Sequence, residues 1–228
     1  MTPHAIVSYD DTQNDRDALM LGRTLRDAGA RLTLAYVRHF VHRRPDDEEL
    51  AHRDAHAMLE RGAGWLEEPD LPRRVVLNAS TGAGLAWLAG AEQADMIVFG
   101  SDYRTPRGHV SVGRSAHTLL EGGLSALALA PADYASGGRP EIRTVGVLRG
   151  TADEAGIETA FSIADRLDAT VIDRDRGVDL LIVGSRREAP VGRVMLSSHA
   201  ANAIEEATSP VLIVARGVML HFETLVTA

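Results

Sequence analysis

Two stretches of the chain can be laid over one another without a gap, and this self-similarity limits the fold more than any other feature. Asp95–Pro131 (DMIVFGSDYRTPRGHVSVGRSAHTLLEGGLSALALAP) matches Asp179–Ala215 (DLLIVGSRREAPVGRVMLSSHAANAIEEATSPVLIVA) at an offset of 84 residues. The identities include Asp95/Asp179, Gly100/Gly184, Ser101/Ser185, Pro106/Pro190, Gly108/Gly192, Val110/Val194, Glu121/Glu205 and Ser125/Ser209. A weaker match sets Ala5–Leu34 over Thr144–Asp173 at an offset of 139, so the two offsets differ by 55 residues. The chain reads as a duplication whose second copy has lost its middle.

The first copy alternates short apolar runs with helical periodicity. Ala5–Tyr9 reads as a strand, and Ala18, Leu21, Gly22, Leu25 and Ala28 then recur at helical spacing. Leu32–Val37 returns to strand character. Pro45 followed by Asp46, Asp47, Glu48 and Glu49 opens a helix with its acids at the positive pole. Ala51, Ala55, Met58, Leu59, Gly62 and Leu66 form its apolar stripe. Arg74–Leu77, Met96–Phe99 and Ala126–Ala130 are further strands. Ser80–Ala94 is a small-residue helix, and Ala116, Leu119, Leu120 and Gly123 mark another. Such alternation implies an α/β fold, an open parallel sheet with helices on both faces. Residues 135–140 (ASGGRP) read as a linker. The expected division is a complete domain over 1–133, a truncated repeat over 143–216 and a tail over 217–228. In the second copy, Thr144–Leu148, Asp179–Val183 and Val211–Ala215 read as strands, and 154–167 and 200–207 as helices. Parallel neighbours need a crossover of about a dozen residues, so 169–173 is either a very short or antiparallel strand or a loop returning from the helix, and the loop is the preferred reading.

Composition removes several function classes. All 24 basic residues are arginine, and without lysine there is no Walker lysine or Schiff base. There is no cysteine, so thiolate metal sites and disulfides are excluded. A net charge of −8 disfavours a general nucleic-acid partner. No apolar run approaches the ~20 residues needed to span a membrane, and the N-terminus lacks a signal-peptide pattern; the expectation is a cytoplasmic protein without a membrane partner. His52 and His56 lack the intervening glutamate of a zinc-peptidase helix and read as a solvated face. Trp65, Trp87 and the helix leucines read as core, and Gly82-Ala83-Gly84 as close helix–sheet packing.

The loop GSDYRTPRGHVSVGRS, residues 100–115, follows the strand ending at Phe99. With a strand ending near Asp10 and five βα steps, it resembles the universal stress protein family in its tandem form. That family's loop reads G-x2-G-x9-G-S/T. Gly100, Tyr103, Gly113 and Arg114 keep the spacing in the first copy, and Gly184, Arg187, Ser197 and Ser198 keep it in the second. The resemblance implies a strand order 3-2-1-4-5 in the first domain. It also implies a stress-response protein, dimeric or pseudo-dimeric within the chain through the terminal strands 126–130 and 211–214.

By the same resemblance, the first copy would hold an adenine nucleotide such as ATP, with Mg only as its companion. Asp10 would meet adenine or ribose, Val37 would contact the base, and Phe99 counts among the cofactor-binding positions. Gly100, Tyr103, Arg104, Gly113, Arg114 and Ser115 would surround the phosphates, using backbone amides and a helix N-terminus. The residues also allow a second reading: an interaction module with both loops plugged, Tyr103 filling the first and Arg149 replacing the acid in the second. No base-and-nucleophile pair is positioned, so slow ATP hydrolysis is the most catalysis expected.

Overall fold

The computed structural model describes residues 2–40, 45–148, 150 and 153–222. Arg149 and the apolar tail positions Leu225 and Val226 lie outside them. The first copy runs β1 (His4–Ser8), α1 (Gln13–Asp27), β2 (Arg31–His39), α2 (Pro45–Trp65), β3 (Arg73–Asn78), α3 (Thr81–Glu92), β4 (Met96–Gly100), α4 (Arg114–Leu119), β5 (Glu121–Gly123) and β6 (Ala126–Ala130). The second runs β7 (Thr144–Val147), α5 (Glu154–Leu167), β8 (Thr170–Ile172), β9 (Leu180–Gly184), β10 (Val194–Met195), α6 (Ser198–Glu205) and β11 (Val211–Val214). Helix starts follow capping chemistry: Ser80, Asp153 and Ser197 each accept the amide three residues on, at 3.2, 3.0 and 3.1 Å. The α4 region is shorter than its periodicity suggests, because Gly123 belongs to β5, which pairs antiparallel with β10.

The first copy has the expected parallel order, β3-β2-β1-β4-β6. Its sheet is not confined to that copy. β11 pairs antiparallel with β6 (Leu127↔Ile213, Ala128↔Leu212, Leu129↔Val211), and the order continues β11-β9-β7-β8. The described residues therefore build one nine-stranded sheet instead of two separate lobes. The physical reason is that β6 and β11 are apolar toward both faces, so each buries best as a central strand with a neighbour on either side. The linker is also anchored: the buried carboxylate of Asp17 accepts the amides of Asp133 and Ala135 at 2.9 and 2.8 Å.

The stretch expected to be a loop contains β8, which lies parallel to β7 at the edge of the sheet. A strand of three residues advances only about 10 Å, so the seven residues 173–179 suffice to bring the chain back for β9. That return crosses directly over Gly146, where a Cβ would strike the carbonyl oxygen of Arg174 and the side chain of Val178. A glycine in β7 is what makes so short a crossover feasible.

Two apolar layers, one on each face, run through both copies. One joins Val7, Leu21, Leu25 and Leu59 to Val145, Ile163 and Leu212; the other joins Ile97, Leu88 and Leu127 to Val183, Ile204 and Ile213. Trp87, expected in the core, is 62% exposed on α3, whereas Trp65 is half-buried with the Arg23 guanidinium 5.7 Å from its ring centroid. The small residues of α3 pack as expected: a Cβ on Gly82 would meet the Ser115 carbonyl at 2.7 Å, and one on Gly84 would meet Val37 at the same distance. No described helix is long and apolar enough to cross a membrane.

The described part of the tail folds back along α5. Leu220 donates its amide to Thr159 Oγ1 (3.0 Å) and Phe222 to Ser162 Oγ (2.8 Å), with both side chains buried. Phe222→Ala removes a buried aromatic ring and should cost about 3–5 kcal/mol. Urea unfolding checks this, and an unchanged midpoint would show that the tail is dispensable for stability.

Candidate functional site

In an open parallel sheet, ligands sit beyond the carboxyl ends of the strands where strand order reverses, here between β1 and β4. The structure brings Asp10 and Gly100 to that point, as β1 and β4 are neighbours with Val7 opposite Val98. Asp10 is exposed just past β1, and the next residue, Asp11, has a left-handed backbone (φ 64°). Arg61 of α2 holds Asp11 at 2.7 Å and the Tyr9 hydroxyl donates to it at 2.8 Å. The Arg61 bond keeps the Asp11 carboxyl below its usual range, whereas burial raises the Tyr9 phenol.

The side chains of two other expected contacts pack into the core. Val37 is buried against Gly84, and Phe99 lies in the core layer beside α3 and α4. The space left between the ends of β1 and β2, lined by Tyr9, Asp10, Tyr36, Val37, His39 and Thr81, is about 100 Å³. That is well below the roughly 300–1,000 Å³ of ordinary small-molecule pockets.

The loop after β4 is closed on itself by serine. Ser101 Oγ donates to the carbonyl of Ala130 at 2.7 Å and accepts the amide of Ser111 at 3.1 Å. Ser111 Oγ in turn accepts the amide of Asp102 at 3.3 Å and meets Thr105 Oγ1 at 2.5 Å. Asn14 pins the loop's start through a 2.6 Å bond to the Ser101 carbonyl, and α1 packs so tightly there that a side chain at Gly100 would strike Asn14. Further on, the amides of Gly108 and Val110 donate to Ala132 and to Ala207 of the second copy, at 2.8 and 3.1 Å.

Tyr103 does not plug this loop. Its ring is 73% exposed, with the Arg104 guanidinium 5.0 Å from its centroid, and its backbone avoids the positive-φ region that would call for glycine. Arg104 and Arg114 are both exposed, and among the described residues Arg114 has no carboxylate partner. Gly113 caps α4 beside the half-buried Ser115, with open space where a Cβ would stand.

The second loop repeats the same closure at the 84-residue offset. Ser185 Oγ donates to the Val214 carbonyl at 2.8 Å and accepts the Met195 amide at 3.3 Å; Gly192 donates to Arg216 at 2.8 Å. Here the Ser197 hydroxyl occupies the helix N-terminus by accepting the amide of Ala200. The strand register also corrects the alignment. Thr144 and His4 both donate their amides to the matching Asp179 and Asp95, which gives an offset of 140 in β7. The counterpart of Asp10 is therefore Gly150 instead of Arg149.

Two groups that shape this region were not singled out from the sequence: Ser101, visible only as a repeated identity, and Asp15. Asp15 accepts the amides of Asp10 and Thr12, both at 2.9 Å, and the Thr12 hydroxyl at 2.8 Å. Burial, and after it a hydrogen bond shared with the Asp10 carboxyl, pushes the Asp15 carboxyl up to about 7.

The folded chain therefore retains a proton on Asp15 between about pH 4, where an unfolded aspartate releases it, and about 7. Since the folded state binds more protons in that window, this group's contribution to stability falls as pH rises through it. Asp10→Asn removes the neighbouring negative charge, so the variant should lose less stability than wild type between pH 4 and 7. Paired urea titrations at several pH values check this; parallel pH profiles would rule out the coupling.

Residues 166–215 match the model of the universal stress protein family. A universal stress protein from Archaeoglobus fulgidus DSM 4304 matches in structure with a TM-score of 0.67 at 12% identity, covering 94% of this chain and 98% of that one. A functionally unknown protein from Pseudomonas aeruginosa PAO1 matches with a TM-score of 0.62 at 14% identity, over 93% and 92% of the two chains. Among curated proteins, none matches in sequence. Residues 166–215 thus carry the sequence pattern of the universal stress protein family, and the chain shares the α/β fold of these solved structures along its length.

Proposed function

We propose that this chain works as an interaction module of the universal stress protein type, its two strand-end loops serving assembly rather than nucleotide capture. The supporting observation is how both loops spend their hydrogen bonds. Each is closed by its own serine, and each reaches across to the other copy, Val110 to Ala207 and β10 to β5. Two observations weigh against an adenine nucleotide. The base-side space of about 100 Å³ is too small, and Val37 is packed beneath α3.

One observation favours a second reading, an adenine nucleotide such as ATP, with Mg, at the first loop. Gly113 leaves the head of α4 open where Ser197 closes the head of α6, and Asp10 stands exposed nearby in the chain fold.

Isothermal titration with MgATP, together with native mass spectrometry of freshly purified protein, separates the two. The interaction-module reading expects no co-purified nucleotide and no binding by wild type, Asp10→Ala or Tyr103→Gly; because the Tyr103 ring points to solvent, its removal opens nothing. Wild-type binding that weakens about ten- to hundredfold in Asp10→Ala, the loss of one charge-assisted hydrogen bond, would establish the second reading instead.

A further inference from the structure

The two copies differ most where the second has lost its middle, and the loss leaves a surface that the first copy covers. In the first copy, α2 lies over the outer part of the sheet. Leu59, Ala63 and Leu66 are buried in the layer that contains Tyr9, and Gly62 approaches Tyr9 so closely that a Cβ would stand 2.9 Å from its ring. In the second copy, only residues 173–179 separate β8 from β9, and no helix lies in that interval.

The register of the helices shows what happens there. The turns that end α1 and α5 are superposable: Ala30 donates to Leu25 and Ala169 to Ala164, an offset of 139. Ile157 and Phe161 thus stand at the positions of Ala18 and Gly22. In the first copy both positions are buried, and a Cβ on Gly22 would press on Val7 at 2.9 Å. In the second copy larger apolar side chains lean into the vacated space without filling it. A groove of about 400 Å³ remains, lined by Val147, Leu148, Ile157, Phe161, Val171 and Ile172. Phe161 stays 60% exposed and Ile157 42% exposed.

The rim is acidic. Glu154, Glu158 and Asp165 are exposed on α5 at helical spacing around Ile157 and Phe161, and Asp173 borders the groove from β8. Two copies of this chain meeting through this face would set those carboxylates against each other, which disfavours a symmetric dimer here.

We infer that the α5–β8 groove is a docking site for an amphipathic helix of a partner protein, one with an apolar stripe flanked by lysine or arginine. The stripe takes the place that α2 holds in the first copy, and the cations answer Glu154, Glu158 and Asp165. Helix-in-groove recognition uses this pattern of apolar anchors at i, i+3/i+4 and i+7. The inference rests on the interaction-module reading and supplies it with a surface and a partner chemistry.

The test uses the full chain and two fluorescein-labelled synthetic helices with the same leucine stripe, one flanked by lysine and one by glutamate. Fluorescence anisotropy should show the lysine-flanked helix binding about tenfold or more tighter. Phe161→Ser should weaken it by a similar factor, as should the double variant Glu158→Lys with Asp165→Lys. These side chains are exposed, and circular dichroism verifies that the variants fold. Equal binding of the two helices, no binding, or binding indifferent to Phe161→Ser would overturn the inference. Self-association in sedimentation velocity that Phe161→Ser abolishes would also overturn it, assigning the groove to a second copy. MgATP binding with helix binding intact would overturn only the reading of the loops; helix failure without ATP binding would overturn only the groove.

Discussion

The antiparallel pairing of β6 with β11 is the contact on which the rest of the structure depends. Both strands are apolar toward both faces, and every residue of each is buried. Left as an edge, either would expose an unpaired ladder of backbone groups beside a fully hydrophobic strand, a template for uncontrolled pairing. Joined, they turn two parallel sheets into one and let both apolar layers run through the whole chain. Among the described residues the truncated copy has two α-helices where the first has four, so it has less flanking structure of its own to bury its sheet and shares its apolar layers with the first copy.

The same pairing explains the loops. Because β6 and β11 run antiparallel, the loop after β4 arrives beside the end of the second copy's α6, and the loop after β9 arrives beside β5. The bonds Val110–Ala207 and Val194–Gly123 are therefore counterparts across an approximate twofold relation. A serine at the same place in each loop fixes its shape by bonding the end of the neighbouring strand. Both loops are thus part of the junction between the copies. The remaining difference between them is small and local: a glycine heads α4 and a hydroxyl heads α6.

The truncation is tolerable because it removes material from the outer end of the sheet. β7, β9 and β11 keep neighbours on both sides, and β8 becomes a short edge. The cost appears on the surface. Where the first copy buries Tyr9 beneath α2, the second leaves Phe161 and Ile157 partly in water, beside the exposed acids of α5.

The sequence by itself determined the repeat, the alternation of strands and helices and the loop spacing, while the strand order of the first copy came only through the family resemblance. Each of the first three is local periodicity or self-similarity, which one chain displays without reference to its neighbours. Asp10, Gly100 and Gly113 were singled out as candidate positions through the loop spacing and the resemblance it carries. The tertiary structure alone decided what depends on distant partners. It made 170–172 a strand, because Gly146 leaves room for a short crossover above it. It put Trp87 in water and turned Tyr103 outward, since burial depends on what packs alongside and not on side-chain type. It coupled Asp15 to Asp10, as the first turn of α1 folds back onto the end of β1. It also decided how the terminal strands expected to meet do so: Ala126–Ala130 and Val211–Val214, more than eighty residues apart, pair edge to edge through their backbones and make one sheet.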